Sequence, residues 1–304
     1  MKLGLTLSDF SYDVSPEQLG PLVAGLAEQA DEAGFDSLWV MDHFFQIHLT
    51  GRPPQSPLPE AYATLGFLAG RTRRIRLGTL VTSIAYRHPG VLLKQVTALD
   101  VFSGGRMYFG VGAGARFDPE PMGPGTRWEA EGLGIPFPSL AERFERLEEV
   151  LRIAEQMWSE DEAPYYGTHY TLMRTLNSPN SIQRPHPPIL VAGSGERKTL
   201  RLVARYADAC NLSDMPDVGL GGDIGHKLEV LRKHCAEIGR DYATIEKTVG
   251  TRFDPTAPDR LLVRLRELAE LGVDHAVLAP TQPWTTERLA TLGALLPEIH
   301  ALGA

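Results

Sequence analysis

The chain has 304 residues, 43% hydrophobic and 22% charged, with a formal net charge of −8. That composition predicts a soluble globular protein with a sizeable core. It argues against nucleic acid as the main partner, because no basic stripe is available to displace counterions. Cys210 and Cys235 are the two cysteines and show neither metal nor redox spacing. No disulfide framework is expected, and a reducing cytoplasm is the default setting. No charged region precedes a long apolar one at the N-terminus, so neither a secretion signal nor a membrane span is predicted.

The opening run, Leu3 to Leu7, reads as a first strand. A helix follows, with Ser15 as N-cap, Pro16 at the first helical position and Glu17 as an early acid. Its apolar residues, Leu19 through Ala30, keep helical spacing up to a C-terminal cap at Gly34. A second strand is expected at Asp36–Met41, then a Pro-rich loop, a helix through about Arg71 and a third strand at Ile75–Ser83. His88-Pro89 starts the next helix, which ends near Phe102, and strand four is Met107–Val111. The stretch 112–138 is rich in Gly and Pro and has no clear period; a loop that long inside a compact domain is usually functional or mobile.

An amphipathic helix from Ser139 to Trp158, a small β-excursion at Tyr165–Thr171 and strand five at Pro188–Ala192 come next. Alternation then resumes, with helices near Thr199–Tyr206, Ile224–Ile238 and Pro258–Leu271, and strands near Ala209–Leu212, Ile245–Gly250 and Val273–Leu278. A single helix, Thr286–Leu302, closes the chain. Eight strand–helix pairs favour a (β/α)8 TIM barrel over an open doubly wound sheet, with insertions after strands two and four and near strand five. Single barrels commonly run to about 250 residues or more, so residues 1–304 are read as one domain.

In such a barrel, ligands sit at the carboxyl ends of the strands. Asp42 and His43 end the second strand, where polar residues either do chemistry or merely cap a loop. The Gly193-Ser194-Gly195 turn follows strand five and precedes a helix, where free backbone N–H groups make an anion site. Arg197 and Lys198 are expected in that helix's first turn, where positive charge opposes the macrodipole unless an anion binds. Arg201 and Arg205 continue the same face, although a charge run of this kind is commonly solvated surface. Gly110-Val-Gly112-Ala-Gly114 lacks Rossmann spacing and suits a strand end against which a flat ligand packs. Metal chemistry finds no His-x-His after strand one and no His-Glu-x-x-His helix. His43 and His48 share a loop without further recognisable ligands, and His169, His186 and His226 read as surface loop residues. Ala192-Gly-Ser-Gly195 misses the pattern of a serine nucleophile elbow.

Seven stretches together resemble the luciferase-like monooxygenase superfamily, and within it the branch that uses the deazaflavin coenzyme F420. They are Trp39-Val-Met-Asp-His-Phe-Phe45, Leu77-Gly-Thr-Leu-Val-Thr-Ser83, Arg87-His-Pro89, Leu99-Asp-Val-Phe-Ser-Gly-Gly-Arg106, Gly110-Val-Gly-Ala-Gly114, Glu142-Arg143 onward to Trp158, and Ala192-Gly-Ser-Gly195. The resemblance implies a ring bound at the strands' carboxyl ends. A bulge in strand three, often with a non-prolyl cis peptide, would fall at Leu80-Val81, with Ser83 and Ile84 lining the cofactor. Ala113 and Gly114 would contribute from strand four, and Gly193, Ser194 and Gly195 would hold the phosphate. By similarity to F420-dependent sugar-phosphate dehydrogenases, Asp42 would contact the ring and His43 would exchange a proton with substrate.

One departure matters. Those dehydrogenases carry a second acid/base carboxylate just after the strand-four glycines, where this chain has Ala115-Arg116. Either His43 works alone, or a reductase reaction takes its proton from water, or Asp118 or Glu120 reaches in. The expectation is hydride transfer between F420 and a small organic substrate, with a flavin mononucleotide (FMN)-dependent monooxygenase as the alternative and a non-catalytic flavin-binding protein as a third reading. The resemblance also implies a homodimer. The segment 116–138, with Trp128 and Phe137, is read as a cover for the pocket or else as a surface excursion.

Overall fold

The apolar runs that punctuate the chain fold as parallel strands covered on both faces, which explains their lack of alternation. The computed structural model describes residues 1–47, 50–114 and 126–303. Strands β1 (Lys2–Leu7), β2 (Ser37–Val40) and β3 (Arg76–Thr79) come first, followed by the short β4 (Thr82–Ser83) and by β5 (Met107–Gly112). An antiparallel ribbon, β6 (Tyr165–Tyr166) with β7 (Thr171–Leu172), stands apart from the main sheet. The remaining strands are β8 (Ile189–Ala192), β9 (Ala209–Asp214), β10 (Glu246–Phe253) and β11 (His275–Pro280).

Neighbours in the main sheet run β3-β2-β1-β11-β10-β9-β8-β5-β4, and β3 also pairs with β5. The sheet therefore closes on itself. The expected third strand is split into β3 and β4 at Leu80-Val81, where the peptide is cis. Counting that pair as one strand, the described residues form a closed parallel barrel of eight strands, the (β/α)8 TIM architecture.

The helices surround it: α1 (Pro16–Ala33), α2 (Ala61–Ala69), α3 (Pro89–Ser103), α4 (Thr126–Gly132), α5 (Leu140–Trp158), α6 (Thr199–Tyr206), α7 (Ile224–Glu237), α8 (Pro258–Glu270), α9 (Thr286–Gly293) and α10 (Leu296–His300). Their start signals are those read in the sequence. Ser15 and Gln18 form a capping box on α1, and Gly34 ends that helix at a φ of 94°. Ser139 caps α5 through Glu142 N.

Three expectations need correction. The stretch 112–138 is not wholly irregular, because α4 forms within it. Its buried residues, Thr126, Glu129 and Ala130, hold helical spacing but include a carboxylate, so a search for apolar periodicity passes over it. The last helix is two, α9 and α10. Pro297 has no N–H and its ring opposes the carbonyl of Gly293, where α9 ends. His226 lies in the first turn of α7, not in a loop.

Inside the barrel, the lower half is filled. Trp39 is fully buried and packs with Tyr108, Leu190, Ala209 and Val277. The Trp39 and Tyr108 ring centroids lie 5.2 Å apart. Gly78 sits in register with both residues, and a Cβ there would come within 2.6 Å of the indole. The indole Nε1 donates to Ser37 Oγ (2.6 Å), which also contacts His275 Nε2 (2.8 Å). Tyr108 donates to Glu246 (2.7 Å), which pairs with Lys2 at the same distance.

Charged groups also stitch the lower rim. Asp36 accepts from Leu3 N, Asp208 from Ile189 N and Asp274 from Lys247 N, each at 2.8 Å. In all three cases a carboxylate just ahead of, or at the entrance to, one strand holds the start of the strand before it. Arg106 donates to Ile75 O (2.8 Å), Ala69 O (2.9 Å) and Thr72 O (3.0 Å), tying α2 to β3.

Gly110 is the tightest point of the closure, since a Cβ on it would stand 1.9 Å from Thr79 O. Gly110→Ala is expected to cost about 3 kcal/mol, at the upper end of overpacking, and to lower the melting temperature by about 6 °C or more. Gly20→Ala on α1, with no atom within 4 Å of its new Cβ, should instead hold or raise the melting temperature through helix propensity. Differential scanning calorimetry of the two variants checks both.

Candidate active site

All eight strands contribute to one cavity at their carboxyl ends, of about 490 Å³. Thr6 and Ser8 come from the end of β1, Met41, Asp42 and His43 from that of β2, and Leu80 through Ser83 from the β3–β4 break. Gly112, Ala113 and Gly114 follow from β5, Ala192 and Gly193 from β8, and Asn211, Ser213, Gly250, Arg252, Val277 and Ala279 from β9 to β11. Strand registry thus brings together residues scattered over most of the sequence.

Of the residues singled out in the sequence, Asp42, His43, Leu80, Val81, Ser83, Ala113, Gly114 and Gly193 line this cavity. Ile84 does not; it is 2% exposed within the main hydrophobic core. Ser194 and Gly195 are exposed at the rim, and their backbone N–H groups take no partner among the described residues. Arg197 and Lys198 lie in the turn before α6, not in its first turn, since the helix begins at Thr199. The Lys198 ammonium stands 5.2 Å from the centre of the Phe144 ring, which lines the cavity. His48, Ala115, Arg116, Asp118 and Glu120 lie outside the described residues.

Asp42 is buried and bound on both oxygens by Arg87, at 2.6 and 2.9 Å. Arg87 also reaches Glu60 (2.6 Å), and its guanidinium lies 4.6 Å from the centre of the Tyr62 ring. Glu60 in turn accepts from Ala63 N, capping α2. Burial drives the Asp42 carboxyl above its ordinary pKa, and the bidentate guanidinium opposes that rise. Arg87 is itself raised, the response expected of a cation against carboxylates. The Tyr62 hydroxyl continues inward to Thr82 (2.7 Å), which meets Thr79 (2.8 Å).

His43 has a partner that sequence reasoning missed. Its Nδ1 lies 2.8 Å from Glu129 Oε2, and Glu129 is almost completely buried. Glu129 also accepts the N–H groups of Phe44 and Phe45, the latter at 2.9 Å, and the hydroxyl of Tyr86. Burial alone would raise the Glu129 carboxyl; hydrogen bonds from His43, Tyr86 and the Phe45 N–H hold it below the usual carboxylate value. Glu129 comes from α4, whose neighbouring Trp128 meets the Phe45 ring edge-on at 5.4 Å. The available signal was Thr126, Glu129 and Ala130 at i, i+3 and i+4, the inward face of one short helix. Arg143, on α5, donates to Ala113 O (3.0 Å) and Gly114 O (3.1 Å), fixing the end of β5. Its guanidinium lies 4.2 Å from the centre of the Phe137 ring.

The charge balance around Asp42 predicts the outcome of breaking it. Arg87→Met should cost about 3–5 kcal/mol, because it leaves a buried carboxylate without its counter-charge. The orphaned carboxyl's raised pKa makes the deficit largest near neutral pH. As the pH falls through that value, protonation removes the buried charge and the deficit shrinks. Thermal melts of variant and wild type between pH 4.5 and 7.5 check the sign.

The model of the luciferase-like monooxygenases matches residues 4–275. An F420-dependent glucose-6-phosphate dehydrogenase of Kineococcus radiotolerans is 31% identical over 245 residues, covering 78% of this chain and 65% of that protein. The chain spans 54% to 65% of the lengths of the first curated relatives it matches. Among solved structures, monooxygenase RslO1 from Streptomyces bottropensis superposes with a TM-score of 0.75 at 21% identity, over 98% of each chain. The coenzyme F420 dependent tetrahydromethanopterin reductase from Methanopyrus kandleri gives 0.74 at 17%, over 98% of this chain and 99% of that one. Identities this low bear on the barrel alone. With nearly its whole length matched by the family model, the chain belongs to the luciferase-like monooxygenase family.

Proposed function

We propose that the protein is a coenzyme F420-dependent oxidoreductase that moves a hydride between the deazaflavin and a small organic substrate, with His43 exchanging the substrate's proton. The observation that carries this reading is the cavity at the barrel's upper end, with an imidazole on one wall and the Gly193 turn on another. The curated relatives named F420-dependent support the choice of cofactor over FMN.

The residues present suit such a group. Leu80, Val81 and Ala113 offer an apolar wall of the kind a flat ring packs against, joined by Ser83 and Gly114, with Ile84 behind them in the core. Asp42 would stand near the ring, its charge held in place by Arg87. Gly193, Ser194 and Gly195 would receive the phosphate, since the N–H groups of Ser194 and Gly195, which take no partner among the described residues, can donate to an anion. Bound there, the deazaflavin supplies two-electron hydride chemistry and reacts poorly with oxygen. The protein's part is to orient, exclude water and handle the proton. An imidazole suits that last task because its ordinary pKa lies close to neutral pH.

The rest of the lining narrows the substrate. Ile47, Leu140, Phe144, Met215, Val218 and Leu220 are apolar. Arg252 is the one guanidinium or ammonium among the described lining residues, and it pairs with Asp217 at 3.0 Å. This supports a substrate with a largely apolar surface over a sugar phosphate.

Fluorescence titration with F420 and with FMN tests the cofactor, and binding of F420 alone is the expected result. Binding of FMN in preference would turn the reading toward oxygen activation. His43→Ala should then lower kcat by about 10²–10⁴-fold while F420 affinity holds within twofold. Turnover of simple alcohols or ketones above that of glucose 6-phosphate would bear out the substrate class; the reverse order would sink it.

A further inference from the structure

We propose that Glu129 is the positioning residue for His43: its carboxylate takes the proton of Nδ1 and leaves Nε2 as the atom that exchanges a proton with substrate. The inference rests on the functional reading above for its catalytic half, and its positioning half stands on the contacts of Glu129.

An ionised carboxylate only accepts hydrogen bonds. Every group around Glu129 must therefore donate, and Phe44 N–H, Phe45 N–H and the Tyr86 hydroxyl all can. His43 Nδ1, at 2.8 Å from the same carboxylate, must then carry a hydrogen. Buried as it is, Glu129 stays ionised because these donors hold its pKa below the ordinary value. The imidazole's other nitrogen, Nε2, has no partner among the described residues, and the ring lines the cavity. When Nε2 picks up a proton, the resulting cation faces a fixed negative charge. Among the described residues, the other charged or titratable groups linked to this site are Tyr86, beside α3, and the cluster of Asp42, Arg87 and Glu60. Asp42 is already bound on both oxygens by Arg87 and is not available to replace Glu129.

The arrangement also explains how a chain with Ala115-Arg116 after the glycines that end β5 brings a carboxylate to the imidazole. Glu129 arrives from a helix further along, through a side chain that simultaneously pins the loop carrying the histidine. In the oxidative direction, a substrate hydroxyl would give its proton to Nε2 as its carbon gives up a hydride to the deazaflavin, leaving a carbonyl. In the reductive direction the same atom returns the proton.

Nitrogen-15 NMR of the histidine side chains in the protein without cofactor tests the positioning half directly. In wild type at a pH where His43 is neutral, the hydrogen is expected on Nδ1. In Glu129→Gln the amide oxygen can still accept from Phe44 and Phe45, while its NH2 donates to Nδ1 and moves the hydrogen to Nε2. With F420 and a turned-over substrate, kcat of this variant should fall about 100-fold, with KM and F420 affinity within twofold. Tyr86→Phe, which removes a donor to Glu129 without changing what Nδ1 meets, should leave the tautomer as in wild type.

A wild-type ring carrying its neutral hydrogen on Nε2 would overturn the proposal without recourse to any variant. So would an unchanged tautomer in a folded Glu129→Gln protein, or an inverted tautomer with undiminished kcat. If wild type neither binds F420 nor turns over substrate with it, the functional reading and the catalytic half fail together. The tautomer measurements still decide whether Glu129 positions the ring.

Discussion

The structure depends first on how the inside of the barrel is filled. A closed eight-stranded sheet has room for side chains but none to spare, and here one large indole takes the lower half. Trp39 is wholly buried, and the area an indole removes from water is worth on the order of 5 kcal/mol. It fits because Gly4 and Gly78 leave space on either side of β2. Its one polar atom is satisfied by Ser37. With the floor occupied, whatever binds must do so above it, where the walls are set by Leu80, Val81 and the glycines of β5. The position of the cavity is thus a consequence of packing below.

Above the floor, the organising problem is electrostatic. Two buried carboxylates, Asp42 and Glu129, flank the same imidazole-bearing loop, and each is held by a different kind of partner. Asp42 faces a permanent cation in Arg87. Glu129 faces neutral donors and a histidine, so its surroundings gain or lose one unit of charge when the ring takes up or releases a proton. The first arrangement is built to stay fixed, whereas the second leaves a proton free to move. That difference follows from donor chemistry and distinguishes the two carboxylates more sharply than distance does.

Much of this was legible in the amino-acid order. Strand–helix alternation shows because parallel strands buried on both faces are short apolar runs, and the helices between them carry caps such as Ser15 and Ser139. Asp42 and His43 stood out because they follow such a run abruptly. The break at Leu80-Val81 is not visible in the residues themselves, since Leu and Val continue an apolar strand without interruption; family resemblance placed it. Glu129 stayed hidden for a different reason. It lies 86 residues beyond His43 on a helix of seven residues, too short to show a period. Its importance comes from what it touches, and a contact at that separation exists only after the barrel closes. The exposed Ser194 and Gly195, beside the cavity-lining Gly193, show the converse limit. Sequence located the turn but not which of its residues faces inward.

The three lower-rim aspartates carry a further meaning. Asp36, Asp208 and Asp274 each grip the first residues of the strand before their own, so a slip of one residue would break that bond and turn side chains to the wrong face. Stagger between neighbouring strands is therefore set locally, at the end away from the cavity. Long excursions after β2 and β5 can be accommodated at the opposite end without disturbing how the cylinder shuts. Such a division lets the upper loops be exchanged or rebuilt while the underlying geometry is inherited intact.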